Sequence, residues 1–292
     1  MKRFMTKIAV ALAVFSMLIV VVYFFLHGLS KRSNAYCNYE EPLYVWGDSQ
    51  MIHGLDVSLL KKISKKPVLT MARQGAGMYD LLVAEKSVRE NSICIVSFSE
   101  AAFFRNPRSD NNRTGFELSC LKKIHRFGCP IDECLRIANM NRKKVNYNAF
   151  EGNHALFPYS DSIVYPEPLQ TWHSLFDEEK EWFSWKAKAY EAGLQCLFDK
   201  QPQMILVQFP FDKQVESFSK KSINYHLSDS IKQELIEKYN LEYDTIMLKS
   251  DSLLMHDLSH MNKVGARLLT HEIGKILHSD SVNNYFIEVH IK

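Results

Sequence analysis

Six short apolar runs, set apart by stretches of helical periodicity, constrain this chain more than any other feature. They are Leu43–Trp46, Val68–Met71, Ser92–Phe98, Met204–Phe209, Tyr243–Leu248 and Tyr285–Ile291. Each has the length of a strand, and turn residues punctuate them, as Gly47 does after the first and Pro210 after the fourth. Between them, Val57–Ile63, Met78–Val88, Phe116–Asn139 (broken near Gly128-Cys129-Pro130), Glu178–Phe198, Asp229–Tyr239 and Met261–Leu277 read as helices. Strands that alternate with helices bury their apolar faces most simply as a parallel sheet wound on both sides. Sites in such sheets form at the carboxyl ends of the strands. Two stretches break the alternation. Residues 105–115 read as a polar loop, and residues 143–172, aperiodic and carrying Pro158, Pro166 and Pro168, as an irregular insertion.

The amino terminus is of another kind. Ile8 to Leu26 is an apolar run of 19 residues without a charge, long enough to cross about 30 Å of hydrocarbon at ~1.5 Å per residue. Lys2, Arg3 and Lys7 precede it, and Lys31 and Arg32 follow. Residues 1–32 are therefore expected to anchor the chain in a membrane, with residues 33–42 as a tether and residues 43–292 as an extracytoplasmic body, periplasmic or at the cell surface. A cleaved signal segment is the competing expectation, because Ser33-Asn34-Ala35 offers the small residues of a cleavage site. The whole chain carries a net charge of +3, and its first 32 residues hold five bases and no acid, so the body is slightly acidic. That argues against a nucleic-acid partner, which needs a basic stripe. With 46% hydrophobic and 24% charged residues, the chain is neither disordered nor a polytopic membrane protein. The six cysteines form no CxxC pair. Cys94 reads as a buried thiol, and one or two disulfides among Cys37, Cys120, Cys129 and Cys134 would suit an exported body.

Two segments carry the residue types of nucleophilic catalysis. Gly47-Asp48-Ser49 follows the first strand, where a serine on a turn can face a cleft. His256-Asp257-Leu258-Ser259-His260-Met261-Asn262 precedes the last long helix. If the chain brings them together, Asp257 can hold one ring nitrogen of His260 while the other faces Ser49, the orienter–base–nucleophile order of acyl transfer. Each segment also has a plainer use. Gly-Asp-Ser favours turns, and Asp257 or Ser259 can cap a helix. His256 and His260 are spaced to share a metal, but they lack the glutamate of an HExxH pattern and an evident third ligand, so no metal and no cofactor is expected.

Taken together, these residues resemble the SGNH/GDSL hydrolase superfamily. Gly47-Asp48-Ser49 is similar to its first block, and Asp257-x-x-His260 to its last, in the family's order along the chain. The resemblance implies a flavodoxin-like, three-layer α/β/α fold with a mostly parallel sheet, here preceded by one transmembrane helix. It implies ester hydrolysis or acyl transfer without a cofactor, with Ser49 as nucleophile, His260 as general base and Asp257 as its partner. The oxyanion donors would be the N–H of Ser49 and that of Gly75 or Gly77 in Arg73-Gln74-Gly75-Ala76-Gly77. The expected substrates are acyl, above all acetyl, esters of cell-envelope carbohydrate, with the membrane and envelope-machinery proteins as partners. The chain departs from the family after the third strand, where Ser97-Phe98-Ser99-Glu100 stands in place of an asparagine block. A binding or assembly subunit that keeps the fold without the reaction is the alternative.

Overall fold

The six apolar runs become the strands of one parallel sheet: β1 (Leu43–Trp46), β2 (Val68–Thr70), β3 (Ile93–Ser97), β4 (Gln203–Gln208), β5 (Glu242–Leu248) and β6 (Tyr285–Ile291), in the order β2-β1-β3-β4-β6-β5. The computed structural model describes residues 41–104, 118–140, 155–164, 184–200, 203–279 and 283–292, together with Met17. The chain divides into two units, Met1–Tyr39 and Glu40–Lys292. The apolar run Ile8–Leu26 and the polar loop at 105–115 lie outside the described residues. Among the described residues no helix is long and apolar enough to cross a membrane.

Strand register builds two cores. Val45, Ile95, Ile205 and Tyr285 lie side by side across β1, β3, β4 and β6 and enter one core. Their neighbours Trp46, Val96, Leu206 and Phe286 enter the other, because successive side chains on a strand point to opposite faces. A sheet buried on both faces needs helices on both. The first core is covered by Met51 of α1 (Ser49–Gly54), Leu60 of α2 (Val57–Ser64) and Leu269 of the last helix, Lys263–Leu277. The second is covered by Leu81 of α3 (Leu81–Ala84), by Leu194 of the helix Ser184–Phe198 and by Leu235 of the helix Ile223–Lys238.

The direction of each crossover explains this division. Right-handed connections put helices on one face when the chain steps one way along the sheet and on the other when it steps back. The steps β1 to β2 and β5 to β6 run the same way, so α1, α2 and the last helix share a face. The other three steps run the opposite way. The amino ends of α1 and of the last helix therefore meet on one side of the sheet, at the carboxyl ends of the strands.

Several expected boundaries move. Among the described residues, the helices beyond α3 are α4 (Glu100–Phe104), α5 (Leu118–Arg126), α6 (Ile131–Met140), α7 (Ser184–Phe198), α8 (Lys213–Ser219), α9 (Ile223–Lys238) and α10 (Lys263–Leu277). The expected helix over Met78–Val88 is instead two 3₁₀ turns, Met78–Asp80 and Glu85–Ser87, flanking the four residues of α3. Asp212 caps the unexpected α8, and α9 starts at Ile223, capped by Ser222, six residues before the expected Asp229. Cys94, Cys120, Cys129, Cys134 and Cys196 are free thiols, and all but Cys196 are buried.

Candidate active site

Gly47, Asp48 and Ser49 have three different jobs. At Gly47 a Cβ would come within 2.6 Å of the Cβ atoms of both Met51 and Ser97, so only glycine lets α1 start this close to β3. Asp48 is the N-cap of α1; its side chain accepts from Gln50 N at 3.0 Å. Ser49 is then the first residue of the helix, at the carboxyl end of β1. The turn-forming use of this tripeptide and the placing of Ser49 are thus one structure. Gln50 ties it to the distant loop, donating from Nε2 to Ser259 O at 3.2 Å.

That loop closes on itself. Met255 and Met261 form an antiparallel bridge, His256 N donates to His260 O at 2.8 Å, and Asn262 N donates to Leu254 O at 2.9 Å. Asn262, fully buried, caps α10: its Oδ1 accepts from Val264 N at 2.9 Å and Gly265 N at 3.1 Å, while Nδ2 donates to Leu253 O and Met255 O. The cap is Asn262, neither Asp257 nor Ser259, which leaves the Asp257 carboxylate for the interior of the loop. Its Oδ1 accepts the N–H groups of Ser259 and His260, each at 2.8 Å. Its Oδ2 lies 2.7 Å from His260 Nδ1, and His260 Nε2 lies 2.8 Å from Ser49 Oγ.

The hydrogens in this chain follow from the partners. Burial raises the Asp257 carboxyl, but the hydrogen bond and charge of His260 and the two backbone N–H groups outweigh it and hold the group below the usual carboxylate range. An ionised carboxylate only accepts, so Nδ1 carries the ring hydrogen and Nε2 is left to accept from the serine hydroxyl. The arrangement can draw the hydroxyl proton toward the imidazole and hold the resulting charge against Asp257.

The two candidate glycines are not equivalent. Gly77 N donates to Asp80 Oδ2 at 3.3 Å, and a Cβ there would strike the Tyr79 ring, so Gly77 serves the turn leading to α3. Gly75 has φ +70°, in the left-handed region that favours glycine, on a loop joined to the serine turn by Arg73 N donating to Gly47 O at 2.9 Å. At the end of β3, Ser97 is fully buried beneath Gly47 and its Oγ has no hydrogen-bond partner among the described residues. Ser99 is buried as well.

Two further rings pack against His260 and carried no sequence signal of such a role. His53 of α1 lies edge-on to it at 5.4 Å, and Phe157 meets it at 5.8 Å. Phe157 stacks on His256, whose pairing with His260 in the sequence suggested a metal. Among the described residues no group of three or more His, Cys, Asp or Glu is placed to hold a metal ion. Phe157 belongs to the stretch expected to be an irregular insertion. Its described part, residues 155–164, forms no helix or strand, yet it lies against the site. No protein-family model matches the chain, and no curated protein is significantly similar to it.

Proposed function

We propose that the protein is a serine-dependent ester hydrolase or O-acyltransferase of the SGNH type. The observation that carries this is the continuous chain Ser49 Oγ–His260 Nε2 at 2.8 Å and His260 Nδ1–Asp257 Oδ2 at 2.7 Å, assembled from segments 211 residues apart. Ser49 Oγ attacks the acyl carbonyl, and His260 takes its proton. The bond to the leaving alcohol then breaks, with His260 returning the proton to that oxygen. The acyl group, held on Ser49, passes to water or to a sugar hydroxyl that His260 deprotonates in turn. Asp257 holds the tautomer throughout, and the N–H groups of Ser49 and Gly75 are assigned to the developing oxyanion.

The fold supports the assignment at a coarser level. The order β2-β1-β3-β4 follows a flavodoxin-like sheet, from which this chain departs by laying β6 between β4 and β5. Acyl, above all acetyl, esters of envelope carbohydrate are the assigned substrates. The body is assigned to the extracytoplasmic side of a membrane, anchored through residues 1–32, with envelope-machinery proteins as its neighbours. A second assignment, a binding or assembly subunit without the reaction, is favoured by one observation: the burial of Ser97 at the end of β3 and of Ser99 beyond it, with the engaged N–H of Gly77, leaves fewer oxyanion donors than the family uses. Incubating the full-length protein with p-nitrophenyl acetate and with a fluorophosphonate probe decides between them. Ester hydrolysis and probe labelling, both lost by about 10⁴-fold or more in Ser49→Ala, are expected for the enzyme. An unaltered chain that neither hydrolyses nor labels is the binding subunit.

A further inference from the structure

Residues 155–164 are tied to the loop of His260 at both ends. Phe157 O accepts from Lys263 N at 2.9 Å, Phe157 bridges to Asn262, and Val164 N donates to His256 O at 2.8 Å. Between these ties the Phe157 ring lies between two imidazoles. It is 3.8 Å from His53 at an angle of 23°, and 4.0 Å from His256 at 9°. His53 stands in the last turn of α1, the helix that begins with Ser49, and His256 stands on the loop. Phe157 therefore joins the element that carries the serine to the one that carries the histidine. Its own ring meets His260 at 61°, and His53 meets His260 at 83°.

Two hydrogen bonds fix the nitrogens of an imidazole but leave its ring free to tilt, and a half-turn of the ring exchanges nitrogen for carbon at both ends. Rings packed edge to face remove that freedom. We propose that residues 155–164 form a strap in which Phe157, wedged between His53 and His256, is a positioning residue that fixes the plane of the His260 ring. The strap holds Nε2 toward Ser49 and Nδ1 toward Asp257. Its kinetic consequence rests on Ser49 being the nucleophile; the ring geometry does not.

The test uses the full-length protein with ¹⁵N-labelled histidine. Phe157→Leu keeps an apolar side chain without a flat face, and Phe157→Tyr keeps the face. The unaltered chain and Phe157→Tyr are expected to show His260 as one tautomer, protonated on Nδ1, and to label with fluorophosphonate at rates within about threefold of each other. Phe157→Leu is expected to broaden and shift the His260 ring resonances as the ring samples several tilts, and to label about 10- to 100-fold more slowly, the effect of misplacing a catalytic group by ~1 Å. Should Phe157→Leu fail to fold by circular dichroism, His256→Leu removes the opposite slice of the stack and is read the same way. A folded variant with unchanged His260 spectra and unchanged labelling overturns the strap. An unaltered chain that does not label removes the nucleophile, and the His260 spectra of Phe157→Leu alone then decide for or against the strap.

Discussion

Two buried carboxyl groups sit at the carboxyl end of the sheet, and their surroundings hold them in opposite protonation states. Asp257 is 4% exposed and Glu100, the first residue of α4, is 5% exposed. Asp257 stays ionised because two backbone N–H groups and an imidazole all donate to it. Glu100 faces Gln208, whose Nε2 donates to Glu100 Oε1. The nearby cation, Lys232, is already paired with Asp229 at 2.7 Å and Glu288 at 3.0 Å. Burial therefore pushes Glu100 up to about 8, against the pull of Lys232 and helped by the charges of Glu288 and Asp229. The residues next to them in sequence, Ala101 and Leu258, share one small apolar cluster with Val215. Equal burial does not decide the charge; the number of donors aimed at the oxygens does.

Replacing each carboxyl by its amide breaks the comparison where the difference is greatest. Asp257→Asn keeps an acceptor for the backbone N–H groups but turns an NH₂ toward His260 Nδ1. The imidazole must then carry its hydrogen on Nε2 and can no longer accept from Ser49. Labelling and hydrolysis are expected to fall about 10³–10⁴-fold, with the urea midpoint moved little. A loss below tenfold would mean that Asp257 only shapes the loop.

Asn262→Ala sharpens the same side of the comparison by loosening the loop without touching its charge. It removes the acceptor for two N–H groups at the start of α10 and strands the carbonyls of Leu253 and Met255. A stability loss of about 1–3 kcal/mol in urea unfolding is expected. The accompanying fall in labelling is expected to be about tenfold, smaller than for Asp257→Asn, because the Asp257–His260 pair remains. Unchanged labelling in a destabilised variant would show that the loop holds its geometry without the cap.

How much of this could be read from the chain follows the range of the forces involved. The strands were legible, because a run such as Ile93–Ser97 has a strand's length and apolarity wherever it pairs. Ser49, Asp257 and His260 were legible too, since each lies in a short block whose local turn or cap places it. Strand order was not: nothing in Tyr285–Ile291 says that it will lie between β4 and β5. The start of α9 was missed because Ile223 and Leu227 are exposed, 67% and 37%, so the first two turns lack an apolar stripe. Met78–Ser87 has helical spacing but bends, with Gly77 N held by Asp80 at its start. Phe157 gave no signal, because its stretch is held by backbone bonds and ring stacking to residues about a hundred positions away. Backbone N–H groups, such as those proposed for the oxyanion at Ser49 and Gly75, leave a mark in residue type only where the backbone requires glycine, as at Gly75.

Glu100→Gln tests the other carboxyl and carries the smallest expected effect on the reaction, with labelling within about twofold of the unaltered chain, since Glu100 touches none of Ser49, His260 or Asp257. Its effect lies in the pH dependence of stability. The folded group, at about 8, stands above its ordinary value of 4.5. Below that ordinary value both folded and unfolded chains hold the proton, and Glu100 adds no penalty. Between the two values folding must draw a proton onto Glu100, so stability falls as pH rises; above about 8 the folded state has lost the proton and the penalty is complete. Asp257 behaves with the opposite sign. Its folded value is lowered from 3.8, so what it contributes is present at neutral pH and is lost in acid. Urea midpoints measured at pH 5, 7 and 9 should therefore converge for the two chains at pH 5 and part steadily toward pH 9. Glu100→Gln should gain a few kcal/mol relative to the unaltered chain over that range. Parallel curves would show that Glu100 stays ionised in the folded protein, and the contrast between the two buried carboxyls would then disappear.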